Sequence, residues 1–253
     1  MICEETISFD TQKEIIDQEI KEITQEEEAF ISLSKDFEEL ESAVSTTKKT
    51  PYVNQERGNN IQVIKQLYSE RILELPHYSE AYDEDLRQHM IHELGKGIII
   101  AIEQSSDFYP KLKQALINAA VTSAGNRTNF KQKLKQEQEN LKKFEEDLNK
   151  ICSELSSITS DDYHINDFNG LRYSHARLTE LFTECEELST QRQEKIQKHN
   201  TDPHLKENGQ IETYLYSQCE NTYPVLSVIA EISDFIQQNM YTIEDSISKL
   251  PVE

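Results

Sequence analysis

The residues best suited to chemistry stand in one stretch, Asp85, His89, His92 and Glu93. Spacings of three and four put Asp85, His89 and either His92 or Glu93 on one face of a helix, where imidazole nitrogens and carboxylate oxygens could hold a divalent metal. The pattern matches neither His-Glu-x-x-His nor its inverse, and no carboxylate–histidine pair recurs on another segment as a di-iron bundle requires. Ordinary i,i+4 pairing on a helix surface uses the same residues with no metal. No metal and no other cofactor is therefore expected.

Just upstream, His77, Tyr78 and Tyr82 gather around Pro76. They could line a small pocket with their polar tips turned inward. The plainer expectation is a locked helix-loop-helix corner, because Tyr and His each present an apolar body with one bondable end. The sequence contains no Gly-rich phosphate loop and no Ser nucleophile elbow, so no catalytic residue is expected. Cys3, Cys152, Cys185 and Cys219 are scattered without the close spacing of zinc or redox pairs, and are expected to be free thiols in small apolar positions. Asn126-Arg127-Thr128 fits the glycosylation sequon, but it falls within a predicted helix and is taken as a chance match.

Helices must position these groups. Only six glycines, six prolines and no tryptophan occur in 253 residues, too few breakers for an all-β or doubly wound fold. Hydrophobic residues make up 36%, so the core must be thin, as in extended helices that bury one stripe. The chain carries 47 acidic and 26 basic side chains for a net charge of −21, which opposes direct binding to nucleic acid or to an anionic membrane. The charges are spread over all segments, the pattern of a surface kept hydrated in high salt. Residues 1–9 carry acids where a secretory signal carries bases, and the longest apolar run, residues 98–102, is too short to span a membrane. A soluble, cytoplasmic protein without a transmembrane segment is expected.

Along the chain, Thr11 and Glu14 have capping-box spacing and predict a helix start. Ile16, Ile23, Phe30, Phe37 and Val44 then recur at heptad spacing, defining an N-terminal heptad helix over 1–47 and a linker over 48–60. Residues 61–125 have shorter periodic stretches and predict a compact short-helix subdomain, with one helix over about 82–104 and another opening near Pro110. The clearest heptads follow. Leu134, Leu141, Leu148 and Leu155 form one row, and Phe130, Phe144, Ile151 and Ile158 the other, broken only by Glu137. A breaker-rich bend leads to Leu171, Leu178 and Cys185 with Leu181 and Leu188, so residues 126–200 predict an antiparallel coiled-coil hairpin. A linker over 201–209 precedes a C-terminal heptad helix over 210–253, in which Ser233 interrupts an apolar seam.

The stretch from Pro76-His77-Tyr78-Ser79-Glu80-Ala81-Tyr82 to Leu86-Arg87-Gln88-His89-Met90-Ile91-His92-Glu93-Leu94-Gly95 resembles a family of uncharacterised haloarchaeal coiled-coil proteins. The resemblance covers about residues 60–200 and rests on the Pro-His-Tyr corner, the His-Met pair ahead of an acidic-apolar-Gly step, and the heptad helix with its hairpin partner. It implies an acidic surface and a cytoplasmic or membrane-adjacent setting, and no assigned activity.

The resulting expectation is an all-α protein: a long antiparallel coiled-coil hairpin with a small helical subdomain and flanking long helices. Its expected role is non-enzymatic, that of a scaffold, adaptor or regulatory partner that binds another protein or itself through its heptad seams. Two alternatives stay open: a metal-binding bundle or metal-dependent enzyme built on Asp85, His89, His92 and Glu93, and a small-molecule sensing module built on His77, Tyr78 and Tyr82.

Overall fold

The computed structural model describes residues 6–40, 59–78, 85–104, 108–160, 167–199 and 211–250. Among these the chain is helical, without strands: α1 (Asp10–Glu39), α2 (Asn59–Tyr68), a π-helical turn (Ser69–Leu73), α3 (Leu86–Leu94), α4 (Lys96–Gln104), α5 (Pro110–Ser160), α6 (Phe168–His199), α7 (Ile211–Tyr216) and α8 (Pro224–Ser248). The all-α fold class follows. Most of the expected linkers at 48–60 and 201–209, together with Tyr82 and Cys3, lie outside the described residues.

The chain divides into two compact units, one of residues 1–16 and 136–253, the other of residues 17–135. Helix α5 runs unbroken through the boundary expected between 125 and 126, since a single Gly125 costs a helix only about 1 kcal/mol against Ala and its neighbours hold the turn.

In the first unit, α5 and α6 run antiparallel. Arg192 pairs with Glu137, whereas nearer the turn Arg177 pairs with Glu154, so the partners approach one another in sequence. Helix α6 is likewise antiparallel to α8, with Cys185 bonded to Ser233 and His175 to Glu244. The apolar rows form a buried stripe on each helix: Leu141, Phe144, Leu148, Ile151 and Leu155 on α5, Leu171, Leu178, Leu181 and Leu188 on α6, and Val225, Ile229, Ile232 and Ile236 on α8. Ser233 interrupts its row without leaving a polar group unmet. Its hydroxyl donates to the Ile229 carbonyl at 2.8 Å, the back-bond that lets Ser sit inside a helix.

The chain entering α1 lies along α5. Ile7 exchanges two hydrogen bonds with the Asn149 side chain, at 2.9 and 2.8 Å, and the Phe9 amide donates to Glu145 at 3.0 Å. Helix α1 already begins at Asp10, so Thr11 is inside it and not the cap that its spacing with Glu14 suggested. Ser8 instead accepts from the Asp10 amide at 3.2 Å.

The cysteines need one correction. Cys185 and Cys219 are free, but Cys152 is disulfide-bonded. Spacing in sequence had argued against any pairing, but spacing does not report which positions a fold brings together. Burial pushes the Cys185 thiol up to about 11, so it behaves as a small apolar group.

In the second unit, Phe30, Leu33, Phe37, Ile64, Tyr68, Ile72, Met90, Leu94, Ile99, Ile102, Leu112, Leu116 and Ala120 form the core. The single helix expected over about 82–104 is two. Asp85 caps α3 through a reciprocal capping box with Gln88, at 2.8 and 3.4 Å, and α3 ends on Gly95, whose φ of +92° other residues rarely adopt. The short helix α4 resumes at once, and Arg87 ties it to α3 with two bonds to Glu103, at 2.8 and 3.1 Å. Helix α5 opens on Pro110, as the fixed φ of proline at a first helical position favours.

Candidate functional site

Among the described residues, His77 and Glu93 join a common polar cluster in the second unit, where α1, α3, α5 and the corner after α2 converge. Helical spacing points Glu26 and Phe30 of α1 the same way. The π-helical turn carries the chain out of α2, with the Glu74 amide bonded to the Ser69 carbonyl at 3.2 Å, and delivers His77 to α1. His77 Nε2 lies 3.1 Å from Glu26 Oε1, both side chains buried.

Arg127 of α5 is the hub. Its Nε donates to Glu26 Oε2 at 2.9 Å, and its two terminal nitrogens donate to Glu93 of α3 at 2.6 and 2.7 Å. The guanidinium also lies 4.7 Å from the centre of the Phe30 ring, a cation–π contact. One planar fork thus bridges two carboxylates on different helices, which lysine could not do with the same geometry. Burial alone would raise the Glu93 carboxyl, but the Arg127 bonds and charge outweigh it and hold the group below the usual glutamate value. The Ser123 hydroxyl donates to the Glu93 carbonyl at 3.0 Å. At the next position of α1, Glu27 accepts from Thr128 at 2.6 Å and pairs with Lys131.

Beside this chain of charges sits an aromatic knot. The Tyr68 hydroxyl and His89 Nδ1 are 2.9 Å apart, and the rings of Tyr68 and Tyr78 meet His89 edge-on, with centroids 5.9 and 5.0 Å away. His77 and Tyr78 are buried, and Tyr82 lies outside the described residues.

The face suspected of metal binding is taken apart by its surroundings. Asp85 caps α3, His89 turns inward to Tyr68, His92 is exposed, and Glu93 is held by Arg127. Among the described residues, no three His, Cys, Asp or Glu side chains stand together as a metal would need. The bonds within the cluster are salt bridges and hydrogen bonds between helices.

A second polar cluster lies in the first unit and was not selected from sequence. Glu137, Arg192, Glu212 and Tyr216 are fully buried. Arg192 donates to both oxygens of Glu137, at 2.9 and 2.7 Å, and to Glu212 at 3.4 Å, and the Tyr216 hydroxyl donates to Glu137 at 3.1 Å. Burial works to lower the Arg192 guanidinium, but the Glu137 bonds and charge raise it overall. Burial, reinforced by the Glu137 charge, pushes the Tyr216 phenol up, so it remains a neutral donor. Glu137 is the residue that broke the heptad row of α5. The same break in an otherwise apolar row was the one available signal for this cluster.

A family model described as a domain of unknown function, DUF7260, matches residues 8–239, and the chain belongs to that family. No curated protein and no solved structure matches it.

Proposed function

We propose that this DUF7260 protein is a non-enzymatic interaction protein, a scaffold, adaptor or regulatory partner that works through coiled-coil packing of its long helices. The observation that carries the proposal is how the polar side chains of the interior are used. Arg127 donates through all three of its nitrogens, and Arg192 through its two terminal nitrogens, to carboxylates of neighbouring helices, which favours one helix register. An active site would call for convergent polar groups around a cleft.

The surface chemistry agrees with an interaction role. Phe168 and Tyr173 on α6 and Tyr241 on α8 expose 52%, 73% and 68% of their area, an apolar investment on helices otherwise covered by charge. Among the described residues no helix is long and apolar enough to cross a membrane. A net charge of −21 suits a cytoplasm rich in salt, where screening limits repulsion to short range.

The heptad rows are buried within the chain itself, so self-association in this role would use exposed apolar side chains such as Phe168, Tyr173 and Tyr241. The test is to isolate the tagged full chain at the salt concentration of its source and measure the mass of what elutes by light scattering, with mass spectrometry of the same fraction. A discrete assembly, of this chain alone or with one protein in fixed ratio, supports the proposal. A bare monomer under all such conditions, or turnover of a small molecule by the purified chain, counts against it.

A further inference from the structure

We draw no further inference here: the strongest candidate, the open groove between α5 and α6 lined by Ile158, Gly170, Tyr173 and Arg177 and adjoined by the exposed ring of Phe168, carries nothing because no feature of the structure shows what covers it.

Discussion

Arg192 and Glu137 face each other across α5 and α6 through two hydrogen bonds, 2.9 and 2.7 Å long, with neither side chain exposed to solvent. A pair so placed contributes little net stability compared with two well-packed apolar residues, because both charges lose their hydration. Removing one partner is a different matter. Arg192→Met would leave the buried Glu137 carboxylate without its cation, with the Tyr216 hydroxyl still donating to it, and is expected to cost about 3–5 kcal/mol. Urea unfolding measures it; a loss under about 1 kcal/mol would show that water reaches the cluster.

The legibility of these features in the sequence differs by physical cause. Heptad rows such as Leu141, Leu148 and Leu155 were readable because burial repeats with the helix period. Gly95 was readable as a weak point, but the sequence does not say whether a glycine is tolerated, as Gly125 is, or used at positive φ to end a helix. Asp85, His89, His92 and Glu93 share helical spacing, yet spacing fixes only their direction on α3 and not what meets them. The answers came from Tyr68 and Arg127, 21 and 34 residues away from His89 and Glu93. Arg192 was invisible because an arginine in a charged helix looks solvated, although Glu137 in an apolar row was a sign that some cation had to meet it.

The buried stripe on each of α5, α6 and α8 is expected to respond to truncation. Leu148 is fully buried, so Leu148→Ala should cost about 2–5 kcal/mol from lost transfer and the cavity left behind. Leu148→Asp should be worse, because an unpaired carboxylate is buried in place of the methyl groups. Tyr173→Ser, at a ring 73% exposed, should change stability by no more than about 0.5 kcal/mol. Thermal melts followed by circular dichroism rank the three; equal melting of Leu148→Asp and the parent would refute the stripe.

Glu93 gives the second unit an acid-sensitive contribution. Despite burial its carboxyl is held below the ordinary value by Arg127. A depressed folded-state value means that the contribution is complete above the unfolded value of about 4.3 and is lost as pH falls through the folded one. Glu93→Gln should therefore be less stable than the parent at neutral pH, and the gap should close below about pH 4. A stability difference that stays constant from pH 7 to about pH 3 would assign the loss to packing and not to charge.

Charge repulsion should make stability depend on salt. With a net charge of −21 on a thin core, the melting temperature is expected to rise from about 0.1 M to molar salt as the screening length falls from about 10 Å to about 3 Å. A flat or falling profile would remove the argument for a salt-rich setting.

The proposal that this is an interaction protein is tested most directly by the mass of the native assembly. One chain weighs 29.4 kDa. Light scattering on the full chain isolated at the salt of its source is predicted to give a discrete mass above that value, either an integral multiple or a complex with one protein in fixed ratio. A mass of one chain across the accessible concentration range, with no protein co-eluting in fixed ratio, would contradict it.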